Sequence, residues 1–308
     1  MFRYIRNRLL MLIPVILGVT FLVFYIMSFS PGDPAAIILG DNASAESIAQ
    51  LQEELGLNEP VIVQYANYMK KCITGDLGES YATGRDVFQE VMSRLPNTFA
   101  LTFWAMVVAI IVSIPIGIIS ATKQYSLMDS ISMIAALIGV SMPNFWFGLL
   151  LIMIFSLHLG WLPSGGASSY ISLIMPAITV GVSCAANITR TTRSSMLDVI
   201  RQDYIRTAKA KGVNKRKVVR KHALRNALIP VITVIGLQFG NLLGGAVLTE
   251  TVFSWPGIGR LIVDAIKAKD TPMVLGCLIV FAVCFSIVNL LVDILYGYID
   301  PRIKAEYE

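Results

Sequence analysis

Residues 201–225 read RQDYIRTAKAKGVNKRKVVRKHALR and form a short polar stretch between long apolar runs. This basic segment carries ten Lys and Arg residues against a single acid, Asp203. A loop this basic, flanked by membrane spans, is retained on the cytoplasmic side. Tyr204, Ile205 and Ala208 recur at helical spacing, and Gly212 is expected to end that first helix. A second helical stretch follows, so the pattern predicts two short helices joined at a glycine, an arrangement typical of a docking element for a partner protein.

The composition around this segment indicates a polytopic membrane protein. The chain has 308 residues, of which 55% are hydrophobic and 15% charged, whereas soluble domains carry about 25% charged residues. The net charge of +5 does not indicate nucleic-acid binding, because the cations are sorted by membrane side. The four cysteines form no CxxC pair and are expected to be apolar packing residues, not a disulfide framework or a metal site.

Six apolar runs are long enough to span a bilayer, and they cover approximately residues 9–29, 99–121, 131–157, 171–187, 227–248 and 273–296. The third run is interrupted at Ser141-Met142-Pro143-Asn144. The polar segment 30–97 is too long for a plain loop, and it contains three amphipathic helical patterns, at 44–55, 61–73 and 85–95. We therefore predict an N-terminal span (1–29), an extracytoplasmic segment (30–97), a core of five spans (98–300) with a cytoplasmic loop at 190–226, and a cytoplasmic tail (301–308).

The distribution of cations supports this topology. With both termini in the cytoplasm, 18 of the 25 Lys and Arg residues fall on the cytoplasmic side, and the other 7 are spread over the longer extracytoplasmic segments. This is the bias that the positive-inside rule requires.

The predicted membrane core lacks the groups that ion coupling needs. Spans two to five hold no ionisable residue between their ends, and Asp293 lies near the inner end of the sixth. Secondary transporters usually place ionisable groups at mid-membrane. A pathway lined by weakly polar groups fits better, and its candidate residues are Ser141, Asn144, Asn187, Gln238 and Asn241. The alternative for each is a helix-joining hydrogen bond. Gly240 and Gly244 allow close helix approach, within one subunit or between two.

Catalytic and nucleotide-binding motifs are not found in the sequence. There is no HExxH, GxSxG or paired-carboxylate pattern, and no GxxxxGK[ST] loop for ATP. His158 and His222 are isolated from other ligand types, so metal binding is not expected. We therefore expect neither an enzyme nor a cofactor in this chain. A transporter of this kind requires an external motor, and the basic segment is the one large cytoplasmic surface on which it could dock.

The basic segment resembles the coupling loop of bacterial ABC-importer permeases, whose usual pattern is E-A-A, three residues, then Gly. The corresponding residues here are Arg206-Thr207-Ala208 and Gly212, and the following His222-Ala223-Leu224-Arg225 also departs from the general pattern. Both departures are similar to the dipeptide/oligopeptide/nickel branch of that family. Further motifs agree in type and order: Pro31-Gly32-Asp33-Pro34, Gly75-Asp76-Leu77-Gly78, Gly160-Trp161-Leu162-Pro163 and Glu250-Thr251-Val252-Phe253-Ser254-Trp255-Pro256-Gly257. The resemblance covers essentially the whole chain, and it is greatest to the first of the two permease subunits, the dipeptide- and glutathione-permease-like type.

The resemblance implies an all-α type I ABC-importer permease fold with six transmembrane helices and an extracytoplasmic insertion after the first. It also implies a multi-pass location in a bacterial cytoplasmic membrane. The implied partners are a second homologous permease, two cytoplasmic ATPase subunits that bind ATP and Mg, and an extracytoplasmic substrate-binding protein. No nucleic acid is implied. The expected coupling residues are Asp203, Tyr204, Arg206, Thr207, Ala208, Lys211, Gly212 and Arg225.

The implied mechanism is alternating access, in which ATP closes the ATPase subunits and moves the coupling helices. Ala208 and Gly212 are small and four apart, so we expect that face to seat in a cleft of the ATPase. The extracytoplasmic residues Glu250, Phe253, Trp255, Pro256 and Gly257 are expected to cap the pathway or contact the binding protein, the alternative for Trp255 being an interfacial anchor. Short peptides are the expected cargo. A nickel chelate or another small solute on the same machinery, and an ion-coupled secondary transporter, are the alternatives.

Overall fold

The computed structural model describes residues 2–29, 32–40 and 43–299. Ser30, Pro31 and the predicted tail at 301–308 lie outside the described residues. The first helices are α1 (Phe2–Ser28), α2 (Pro34–Leu39), α3 (Ala45–Glu54), α4 (Val61–Ile73), α5 (Val87–Thr122), α6 (Leu127–Ser141) and α7 (Asn144–Leu151), which continues as a π-helix (Ile152–His158). They are followed by α8 (Ile174–Ile200), α9 (Asp203–Ala210), α10 (Lys215–Lys217), a second π-helix (Val218–Ala223), α11 (Leu224–Gly245), α12 (Val247–Val252), α13 (Ile258–Lys267) and α14 (Thr271–Ile299).

Five described helical stretches are long and apolar enough to cross a membrane: Ile5–Ser28, Val87–Thr122, Tyr170–Ile200, Lys215–Gly244 and Thr271–Ile294. The predicted third span is divided into α6 and α7, which bend by 104° at their junction, and the number of spans reaches six if this bent pair is one span. Proline causes the break, because the residue before a proline is disfavoured in the helical region. Met142, just before Pro143, is accordingly extended, with φ −83° and ψ 125°.

Two helices are longer than the sequence predicted. The stretch at 85–95 is not a separate helix but the start of α5, because Val87 and Val91 are fully buried and continue directly into the apolar span. The fourth span, expected to end near Asn187, continues to Ile200. Its extra turns stay helical although they are polar, because Ile188, Thr192 and Met196 are buried by protein.

The described chain divides into two compact units, and the first comprises residues 2–98 and 256–287. Tyr65 on α4 ties this helix to α1, because its hydroxyl donates to the Leu17 carbonyl at 2.9 Å. Asp270 lies at the start of α14, where its carboxylate accepts the Met273 and Tyr81 backbone N–H groups and the Ser80 hydroxyl. Burial and this carboxylate raise the pKa of Tyr81, so its phenol stays neutral. The apolar core of the unit is formed by Leu77, Val87, Val91, Ile258, Ala265, Met273, Val274 and Cys277.

The second unit comprises residues 99–255 and 288–299, and α8 is its central helix. Small residues let the neighbouring helices approach α8 closely. A Cβ at Gly117 on α5 would lie 2.6 Å from the Thr192 Cβ, and one at Gly181 on α8 would lie 2.7 Å from the Ala105 carbonyl oxygen. Gly240 of the glycine pair on α11 faces Asn289 of the same chain, and an added Cβ at Gly240 would lie 2.6 Å from the Asn289 Oδ1 atom. The close approach at Gly240 is therefore within one subunit.

Candidate functional site

A groove of about 800 Å³ opens in the second unit between α6, α8 and α11. Its polar lining lies at helical spacing on α8, at positions 187, 190, 191 and 194, and on α11 at positions 238 and 241. The full lining comprises Met133, Asn187, Arg190, Thr191, Arg193, Ser194, Ser195, Val234, Leu237, Gln238 and Asn241.

The groove brings together three of the five predicted pathway residues, Asn187, Gln238 and Asn241. Their side chains make no hydrogen bond to any other residue that the structure describes. The alternative, that these amides join helices, requires such bonds. The three amides therefore lie unbonded on the groove wall, and their role in a pathway stays a prediction.

The other two predicted pathway residues lie elsewhere. Ser141 and Asn144 flank the break between α6 and α7 and are not part of the groove lining. Ser141 is exposed and Asn144 is half-buried. A role for these two residues in the pathway stays a prediction.

A partly buried ion pair, which the sequence did not reveal, supports one wall of the groove. Arg193 on α8 donates from Nε to Asp129 Oδ1 at 2.7 Å and from Nη2 to Oδ2 at 2.8 Å. Asp129 also accepts the Ser120 hydroxyl and the Tyr125 backbone N–H. The sequence signal was a lone acid at the start of a span, on the side where cations dominate. Two donor atoms on two carboxylate oxygens fix the angle between α6 and α8.

The basic segment follows α8 directly and folds back on it. Ile205 and Ala208 on α9 are buried with Met196, Val218 and Ala223. Gly212 has φ +75° and ends α9, because its N–H bonds to the Lys209 carbonyl and the next N–H bonds to the Ala208 carbonyl. The π-helix then keeps Val218 and Ala223, five residues apart, on the same buried side.

The predicted coupling residues divide into a buried set and an exposed set. Ala208 lies on the inner face, with only 9% of its surface exposed, so its small size lets α9 pack on its own chain. We expected Ala208 and Gly212 to lie on one face that binds in a cleft of the ATPase. The structure corrects this for Ala208, which packs against its own chain. Seven residues are exposed on the outer surface: Asp203, Tyr204, Arg206, Thr207, Lys211, Gly212 and Arg225. Tyr204 is held in place by Asn226, which donates to its hydroxyl at 2.7 Å.

The predicted extracytoplasmic loop at 250–257 is partly helical and largely buried. Glu250 lies in α12 and is fully buried, and so is Phe253. Trp255 packs on Leu101 and Ala177. Within the other unit, Gly257 precedes α13, and the Pro256 carbonyl accepts from Asn97 at 2.9 Å. In this conformation the two aromatic rings are core residues, and a contact with a binding protein stays a prediction.

The helical spans, the polar groove and the basic segment that follows its central helix define the class of protein: a membrane permease. The chain belongs to the family of binding-protein-dependent transport system inner membrane components, whose profile matches residues 113–305, and the N-terminal profile of the same family matches residues 1–102. It is a transport subunit and not an enzyme.

Curated relatives are similar over nearly their whole length. The chain is 49% identical to the dipeptide transport system permease protein DppB of Alkalihalophilus pseudofirmus, covering 99% of this chain and 100% of that protein. It is 45% identical to the glutathione transport system permease protein GsiC of Escherichia coli, covering 99% of each. It is 43% identical to the oligopeptide transport system permease protein AppB of Bacillus subtilis, covering 98% of this chain and 99% of that protein.

Solved structures share the fold at low sequence identity. The inward-facing MetNI methionine ABC transporter matches with a TM-score of 0.59 at 18% identity, over 69% of this chain and 97% of that one. An amino acid ABC transporter matches with a TM-score of 0.53 at 15% identity, over 70% of this chain and 94% of that one. The predicted ABC-importer permease fold is thereby confirmed.

Proposed function

We propose that the chain is one of two permease subunits of an ATP-driven importer of short peptides. The observation that carries the cargo class is the near full-length similarity to permeases named for dipeptide, oligopeptide and glutathione transport. The groove supports it, because free amide and hydroxyl groups suit a cargo with backbone N–H and C=O groups.

The way in which α8 connects the groove to the basic segment supports alternating access as the proposed mechanism. Residues 187–195 of α8 line the groove, and α9 begins three residues after α8 ends. A displacement of α9 by a partner is therefore transmitted directly to the groove wall, with Ile205 and Met196 in the connecting core. ATPase subunits would bind the exposed face of α9 and the loop at Gly212.

The assembly that we propose has a second homologous permease, two cytoplasmic ATPase subunits and an extracytoplasmic binding protein. Both chain termini and the basic segment lie in the cytoplasm, since this orientation gives the required excess of cations inside. Residues 30–97 then lie outside the cell membrane and face the binding protein.

Co-purification tests this proposal. The tagged chain, expressed with its chromosomal neighbours, is expected to retrieve a second permease and ATPase subunits, and peptide-loaded binding protein is expected to stimulate ATP hydrolysis. Stimulation by a nickel chelate but not by di- or tripeptides would show that the cargo is a nickel chelate. Uptake that survives ATP depletion but collapses with the ion gradient would overturn the ATP-driven mechanism.

A further inference from the structure

Arg190 is the cation of the groove that has no counter-charge. Its side chain lines the groove and is exposed, and no described carboxylate lies within ion-pair distance of it. Arg193, three residues further along α8, has its charge balanced by the bidentate contact with Asp129. The two arginines on the same wall therefore differ: one is bound by a structural partner, and the other is free.

The surroundings of Arg190 favour an anionic ligand. None of the described residues that line the groove is acidic, and apart from the two arginines the polar lining consists of three amides and three hydroxyls. Asn187 lies one helical turn before Arg190 and Thr191 follows it directly, so a guanidinium, an amide and a hydroxyl converge on one stripe of α8. A guanidinium matches the geometry of a carboxylate by donating two parallel hydrogen bonds.

The position of Arg190 on α8 places it at the inner mouth of the proposed pathway. A bilayer core is crossed by about 20 helical residues, and the apolar stretch that leads to Arg190 begins at Tyr170. Arg190 is exposed there, so a ligand that it binds can leave again. A binding step at this mouth, and not a deep trap, is what a transport pathway requires.

We propose that Arg190 is a specificity-determining residue that binds the carboxylate of the cargo at the inner mouth of the groove. This inference rests on the proposed function and assigns the chemical group of the cargo that the permease itself recognises. The α-carboxylate of a free peptide is the group that every member of that cargo class carries. Asn187 and Gln238 would accept and donate hydrogen bonds along the adjoining peptide group.

A cycle of two cargoes and two proteins tests the proposal in proteoliposomes that contain the complete transporter. The cargoes are a dipeptide and its C-terminal amide, each supplied on saturating loaded binding protein, and the readout is cargo delivered per ATP hydrolysed. The Arg190→Gln variant is expected to lower delivery of the free dipeptide by about tenfold, the usual size of one charge-assisted contact. Delivery of the amide is expected to be equal in both proteins. Arg190→Lys keeps the charge but not the two parallel donors of a guanidinium. Its delivery of the free dipeptide is expected to lie between that of the unmodified protein and that of Arg190→Gln.

Lys123→Gln serves as the matched control, because it removes an exposed cation in the turn between α5 and α6, outside the groove. It is expected to leave delivery of both cargoes unchanged. An equal loss for the dipeptide and its amide in Arg190→Gln would show that Arg190 acts through topology or fold, and an unchanged delivery would also overturn the proposal. Failure of the proposed function is distinguishable, since the unmodified transporter would then deliver neither cargo.

Discussion

Arg193 and Asp129 are 64 positions apart in the chain, yet two hydrogen bonds of 2.7 and 2.8 Å join them across α8 and α6. The carboxylate side chain is 5% exposed and the guanidinium 23%. The pair holds the wall of the groove at the point where α8 leads into the basic segment. A conformational change that opens the groove must therefore either keep this contact as a rigid joint or break it.

Asp129→Asn is expected to destabilise the protein by about 3 kcal/mol, because it leaves the Arg193 charge uncompensated. The double variant Asp129→Asn/Arg193→Gln should lose less, since neither partner is then left as an unpaired charge. Thermal unfolding of the detergent-solubilised complex measures both. The single variant Arg193→Gln completes the cycle, and a double variant whose loss equals the sum of the two single losses would show that the two side chains are not coupled.

The sequence predicted most of the helices because their signals are local. The helix α3 begins after Ser44, whose hydroxyl accepts the Ser47 N–H at 3.1 Å, and the helix α9 ends before Gly212, as its position in the pattern indicated. The break at Pro143 followed from proline chemistry. Each of these features depends on residues within one turn of one another.

Features that depend on tertiary contact could not be predicted in this way. Helical periodicity placed Ile205 and Ala208 on one face but not against Met196, which shows that this face turns toward the chain itself. The pairing of Asp129 with Arg193 required knowledge of which helices are neighbours. Phe253 was expected to cap the pathway or contact the binding protein, whereas it packs on Leu151 and Met175 and is fully buried.

Ala208→Leu is expected to weaken the attachment of α9, because a larger side chain does not fit beside Ile205 and Met196. Overpacking of this kind costs about 1–3 kcal/mol. Thr207→Leu, one position away on the exposed face, is the matched control for size and should leave unfolding unchanged. If the exposed face binds the ATPase, Thr207→Leu lowers co-purification of that subunit without lowering the melting temperature. Equal melting temperatures for both variants would contradict the buried position of Ala208.

Gly212→Ala is expected to reduce coupling through backbone strain and not through a clash. A Cβ at Gly212 would meet no atom within 4 Å, but the residue has φ +75°, which costs an L-residue about 1 kcal/mol. Gly212→Asn should be milder, because asparagine tolerates this region better than alanine. The readout is ATP hydrolysis stimulated by the binding protein. Its rate is expected to be highest with Gly at position 212, lower with Asn and lowest with Ala. An alanine variant equal to the unmodified protein would show that the turn can end α9 in another conformation.

Phe253→Ala tests whether this ring stabilises the core or contacts the binding protein. The ring is fully buried beside Gly148, where an added Cβ would lie 2.9 Å from the Phe253 Cε2 atom. Its removal from a packed core is expected to cost about 3–5 kcal/mol. Trp161→Ala removes a larger aromatic ring that is 68% exposed, and it should barely change the melting temperature. A contact role predicts the opposite for Phe253: an unchanged melting temperature with weaker stimulation by the loaded binding protein. Measuring both quantities on the same two variants separates the roles. A core defect lowers the melting temperature, whereas a lost contact lowers only the stimulation by the loaded binding protein.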